Sequence, residues 1–160
     1  MEQLRHLGPG EGRKLLLLGD IRTIKAGGAE SGGELMIVEQ VVEPGAAAAL
    51  HRHPYREVFY VLEGELEFEG LSGDGRTALR AEVGSTVHAA PGVPHGYRNR
   101  ASSTARFLAV LQPAGAEGFF EEVGLWLDDD ASVPAGASPP SVDDVRAAAA
   151  RHGIEFLSTQ

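Results

Sequence analysis

The sequence has no cysteine and only two lysines, Lys14 and Lys25. The missing thiols exclude a disulfide framework, thiolate metal sites, iron–sulfur clusters and a cysteine nucleophile. Long apolar runs are missing too. The longest near the N-terminus is Leu15–Leu18, too short for a membrane span or a signal-peptide core. A cytoplasmic location is therefore expected. Positive charge is scarce, with 14 Lys and Arg against 23 Asp and Glu and a net charge of −9 with His neutral. Such a chain repels phosphate backbones and anionic bilayers, so neither a nucleic-acid nor a membrane partner is expected.

What is present fits one globular domain. The 160 residues are 42% hydrophobic and 23% charged, enough to bury a core without staples. The 21 glycines and 9 prolines point to many turns and short elements. Residues 1–12 are polar and read as a loose arm. Arg13–Leu18 and Ile21–Lys25 read as short strands parted by Gly19-Asp20, and Ala26–Gly33 as a loop. Glu34–Glu43 reads as a strand buried on both faces, and Ala46–His53 as a second strand despite its four alanines. Glu57–Leu62 and Glu65–Glu69 are strands broken by Gly64. Arg76–Glu82, Ser85–Ala89, His95–Arg100 and Thr104–Leu111 follow with turns between them. This spacing predicts an all-β antiparallel sandwich or barrel over residues 13–113.

The pattern changes after Pro113. Gly115–Leu127 predicts a helix with Phe119, Phe120, Val123 and Leu127 on one face, and Trp126 is expected to help pack it on the barrel. Asp128–Pro140 reads as an acidic, proline-rich linker. Ser141–Arg151 predicts a second helix, with Ser141 and Asp144 at capping-box spacing and His152-Gly153 as the stop. Residues 114–160 are thus expected to form a helical extension, with Ile154–Leu157 adding a short strand.

Three of the six histidines, His51, His53 and His95, sit where these short strands meet turn signals. His51 and His53 are two apart, so in a strand both imidazoles project from one face. Pro54-Tyr55-Arg56 has room only for a tight reversal, after which Glu57 can face back toward them. Two imidazoles and a carboxylate on adjacent strands suit a first-row metal ion. Gly92 and Pro94 set a turn that holds His95 at a strand entrance, where it can supply a third imidazole. Asn99 lies four residues on and is read as fixing a turn.

These residues carry a resemblance. Gly45, His51, His53, Glu57 and Gly64 match every fixed position of the first cupin motif, G-x5-H-x-H-x3-E-x6-G. Gly84, Gly92, His95 and Asn99 match the second, G-x5-P-x-G-x2-H-x3-N, with Ala90 where proline is usual and Pro91 next to it. The chain resembles single-domain cupins of the quercetin-dioxygenase-like group. The resemblance implies a cupin jelly roll with two short C-terminal helices. It also implies one divalent transition metal on His51, His53, Glu57 and His95, with Fe2+ first and Mn2+, Ni2+, Cu2+, Co2+ or Zn2+ as alternatives, and a homodimer.

Such a site carries one net positive charge and leaves about two positions open on a six-coordinate ion, so it attracts a small anionic, metal-chelating molecule. Parity places Phe59, Val61 and Tyr97 in the cavity, with Met36 or Val38 from the long strand. Glu57, Tyr97 and His88 are the candidates for moving protons. The expected function is a metal-dependent dioxygenase acting on a small enol, phenol or carboxylate. The alternatives are a non-redox cyclase, isomerase or lyase, and a non-catalytic binding module.

Overall fold

The computed structural model describes residues 4–157. Two antiparallel sheets face each other across one core. Strands β1 (Arg13–Leu17), β2 (Asp20–Ala26), β3 (Met36–Val42), β5 (Arg56–Glu63), β8 (Thr86–Ala89), β10 (Ala105–Gln112) and β11 (Leu125–Trp126) build one sheet. Its order is β11-β1-β2-β3-β10-β5-β8. Strands β4 (Ala47–Arg52), β6 (Glu65–Ser72), β7 (Gly75–Glu82), β9 (His95–Arg98) and β12 (Glu155–Phe156) build the other, ordered β12-β4-β9-β6-β7. Helices α1 (Gly28–Ser31), α2 (Glu117–Val123) and α3 (Val142–Arg151) are short. None of them is long and apolar enough to cross a membrane.

Alternation decides which side chains meet between the sheets. Along β3 and β10 every second residue is buried and the intervening ones are half-buried, so β3 has one core face rather than the two that its run of Val, Ile and Met suggests. At the centre, Phe59, Phe68, Tyr97 and Phe107 pack edge-on or tilted, with Phe107 ring centroids 5.5 Å from Phe59 and 5.2 Å from Tyr97.

The motif glycines and the asparagine hold turns. Gly64 has φ +70°, and a Cβ there would lie 2.7 Å from the Thr104 carbonyl oxygen, so β5 breaks into β6 at that point. The start of the first motif is tied to the end of the second: Gly45 N donates to Asn99 O at 3.0 Å, and Asn99 N donates to Ala46 O at 2.9 Å. Without proline at position 90, the next turn closes through Val93 N donating to Ala90 O at 3.1 Å.

The segment after Pro113 departs from expectation. The helix of residues 115–127 is shorter, because Gly124 turns into extended backbone with φ −70° and ψ 130°. A Cβ at Gly124 would lie 2.5 Å from Leu15 Cδ1, so this residue lets the chain close onto β1. Trp126 is then a strand residue paired with Leu15, with Arg13 over its ring at 4.1 Å, and it takes no part in a helix. Phe119, Phe120 and Val123 of α2 are buried as their spacing requires. In α3, Ser141 caps through Asp144 N at 3.1 Å. Residues 26–33, read as a loop, contain the turn of helix α1. In the N-terminal arm, Lys25 Nζ donates to Glu11 O at 2.7 Å and Arg5 pairs with Glu30; residues 1–3 lie outside the described residues.

Candidate metal centre

His51 and His95 face each other across β4 and β9 as register partners. His53 follows β4, and Glu57 is the second residue of its neighbour in sequence, β5, in the opposite sheet. One potential ligand atom from each of the four lies within 4.8 Å of all the others. The structure thus brings together the four residues read from the two motifs. The turn of the second motif is fastened to the first, since Gly92 N donates to His53 O at 2.8 Å.

Each imidazole is oriented by its own backbone. Nδ1 of His51 lies 2.8 Å from Ala49 O, Nδ1 of His53 lies 2.8 Å from Tyr55 O, and Nδ1 of His95 lies 2.9 Å from Val93 O. A carbonyl only accepts, so each Nδ1 carries the proton and each Nε2 keeps its lone pair in the neutral ring. Two of these nitrogens, on His53 and His95, converge on a carboxylate. Glu57 Oε2 lies 3.0 Å from His53 Nε2 and 3.3 Å from His95 Nε2. Acceptors packed this closely need a positive charge between them, either a shared proton or a cation. Three imidazole nitrogens and one carboxylate oxygen fit a divalent first-row ion.

The charges reflect the same geometry. Burial would raise the Glu57 carboxyl, but once His53 and His95 carry a proton at Nε2 the hydrogen bonds they donate outweigh it and hold it at about 2. Burial opposes charge on His95 too, yet its contact with Glu57 raises it above the usual histidine value. His51 touches no carboxylate, and burial together with the charge on His95 pushes it down to about 4.

A cavity of about 100 Å³ opens beside the cluster. Phe59 and Tyr97 line it, as does Val38, the alternative to Met36. Met36 and Val61 are fully buried but lie outside this lining. They share the inward face of their strands yet pack into the solid core. The C-terminal segment supplies part of the wall through Phe119, Phe120, Ile154 and Phe156, and Phe156 pairs with His51 across β12 and β4.

His88 does not reach the site. It is exposed, and it pairs with Val58 while Glu57 pairs with Ala89. Its parity is therefore opposite to that of Glu57, and its ring points out of the barrel. Tyr97 is buried against the cavity, but its hydroxyl donates to Asp20 Oδ2 at 2.8 Å and also accepts from Gln40. Asp20, Arg22 and Gln40 line the same cavity and were not singled out from the sequence. The available signal was Asp20 and Arg22 at strand spacing among apolar neighbours.

Residues 38–111 match the cupin domain family. That match covers just under half of the chain, and the two-sheet fold and both motifs agree with it. Over 119 residues the chain is 29% identical to quercetin 2,3-dioxygenase of Bacillus subtilis (strain 168). That match covers 74% of this chain and 34% of the relative, so the chain spans about a third of the curated protein's length. Among solved structures, an uncharacterized conserved protein with a double-stranded beta-helix domain from Klebsiella pneumoniae superposes with TM-score 0.52 at 26% identity, over 61% of this chain and 79% of the other. An oxalate decarboxylase of Bacillus subtilis superposes with TM-score 0.58 at 21% identity, over 65% of this chain and 28% of the other, and speaks to the fold alone.

Proposed function

We propose that this chain is a metal-dependent oxidoreductase of dioxygenase type acting on a small oxygenated molecule, with His51, His53, Glu57 and His95 holding one divalent transition metal, Fe2+ first. The observation that carries this reading is the convergence of three Nε2 lone pairs and the Glu57 carboxylate, each ring locked by a carbonyl at Nδ1. The curated relative named as a dioxygenase supports the reaction type. A bound ion of this kind supplies Lewis acidity toward a chelating oxygen and, if redox-active, access to dioxygen.

The chain's own residues supply the rest. The three backbone carbonyls fix ring tautomer and direction. Glu57 sits between ring nitrogens and the cavity; held at about 2 it stays ionised and accepts a hydrogen bond from a bound substrate, and it would take the proton itself only from an oxygen made acidic by the bound ion. Phe59, Val38 and Leu111 keep the adjoining wall apolar. At about 100 Å³ the cavity suits a small enol, phenol or acid. Drug-sized ligands occupy pockets of roughly 300 Å³ and above.

The test starts with metal analysis of protein purified without added metal, then oxygen uptake with small enols, phenols and carboxylates. His53→Ala is expected to strip the metal, and full occupancy in that variant would refute the ligand assignment. Glu57→Gln retaining metal while losing turnover would assign the carboxylate to proton transfer. Turnover under strict anaerobiosis would reject the oxygenase reading in favour of a cyclase, isomerase or lyase that uses the metal as Lewis acid.

A further inference from the structure

The cavity beside the metal centre has a second polar end. Arg22 on β2 and its cross-strand neighbour Gln40 on β3 point into it, together with Asp20 and Tyr97. Tyr97 follows His95 by two residues along β9, which places this end about 7 Å along the strand from the histidine. Most of the polar groups here are already satisfied by one another. Asp20 Oδ2 accepts from Gln40 and from Tyr97, each at 2.8 Å.

Arg22 is different. Its Nη1 donates to Leu17 O at 2.8 Å, and among the described residues it makes no other hydrogen bond and no ion pair. Asp20, on its own face, is engaged by Gln40 and Tyr97. The guanidinium lies 5.8 Å from the Phe120 ring, against an apolar wall. Tyr55, whose ring stacks on His53 at 3.8 Å, lines the same cavity. Arg22 feels the charge of Asp20 but makes no ion pair with it, and a half-buried guanidinium with free donors can take a further anion from outside.

We propose that Arg22 anchors a carboxylate of the substrate, whose opposite end carries the oxygen group that meets the metal. This rests on the metal-site reading above and narrows it to a class: short molecules with a carboxylate at one end and a chelating carboxylate, enol or hydroxyl a few bonds away. The planar fork of the guanidinium matches two carboxylate oxygens at once. The small volume leaves room for a linker of only a few atoms.

The test uses the full chain loaded with metal and titrated calorimetrically with succinate, its monoamide succinamate, and inorganic phosphate. The unaltered protein is expected to prefer succinate over succinamate by about tenfold or more. Arg22→Met should weaken succinate binding by about 10- to 100-fold, the scale of a lost charged hydrogen bond, and abolish the preference. Arg22→Lys keeps the charge without the fork and should fall between. Equal succinate affinity across the three proteins, no preference for succinate in the unaltered protein, or tighter binding of phosphate would each overturn the assignment. If Arg22→Met does not fold, Arg22→Lys and Arg22→Gln carry the comparison. Metal content, measured on every sample, reports separately on the metal site. Protein that takes up no metal yet binds succinate through Arg22 would uphold the anchor and refute the metal reading.

Discussion

Asn99 closes the second motif, and its substitution tests whether that position is architectural. The side chain is fully buried. Its Nδ2 donates to Val42 O and to Ser103 O, both at 2.9 Å, and its Oδ1 accepts from Ala101 N at 3.0 Å. Asn99→Ala removes all three bonds, one of them to the carbonyl of the buried Val42. At about 1 kcal/mol net for each bond, the loss is about 3 kcal/mol. In a chain of this size that lowers the melting temperature by roughly 6–12 °C. Urea unfolding followed by far-UV circular dichroism, with the m-value held constant, measures it directly. Asn99→Asp is the sharper variant. It keeps the acceptor for Ala101 but turns the donor side into a second acceptor facing two carbonyls, so it should cost at least as much. Asn99 touches none of the four cluster residues, so folded variant protein should bind metal with unchanged stoichiometry. A loss below about 1 kcal/mol, or a stable variant that no longer takes up metal, would refute the reasoning.

Two further predictions come from positions on either side of the site. Gly96 lies under β4, where a Cβ would sit 2.7 Å from Ala48 O and 3.3 Å from Leu50 N. Gly96→Ala should displace that backbone and weaken metal binding by more than about tenfold while the chain still folds; unchanged affinity in a titration against a competing chelator would count against the packing argument. Burial lifts the Asp20 carboxyl above its ordinary 3.8, against the opposing pull of Arg22, Tyr97 and Gln40. The folded chain therefore holds that proton more tightly than the unfolded one. Its stabilising share is complete below the unfolded value and is lost as pH rises through the folded value. Asp20→Asn should thus gain stability relative to the parent between about pH 3.5 and about pH 7 in urea melts, and an equal difference at both pH values would remove the linkage.

The succession of strands along the chain, the turns and the four cluster residues were legible because each rests on local chemistry. Glycines at positive φ end strands, histidines two apart share a face, and a serine caps a helix. What the sequence does not carry is the register between distant strands. His88 looked available because its own strand was recognised, while its facing direction depends on whether residue 88 or residue 89 pairs with Glu57. Met36 and Val61 failed for a related reason: parity says which side chains face inward, not where the interior stops being solid. Arg22 and Asp20 were passed over because charge at strand spacing usually marks a solvated face.

The histidine face itself depends on an irregularity that alternation alone would have misread. Ala48 pairs with Tyr97, but His51 rather than Leu50 pairs with His95, so the register slips by one residue between them. With unbroken alternation, Ala48 and Leu50 would both face the core and His51 would face out. The slip reverses this. Ala48 packs against the core, His51 joins the cluster, and Leu50 is buried in a separate groove beside Glu67 and Arg100. A β-bulge of this kind needs side chains that tolerate either direction and a partner strand that can come close. The run of alanines at 46–49 provides the first and Gly96 the second. The alanines that seemed to weaken the strand reading are therefore part of what aims the first histidine at its site.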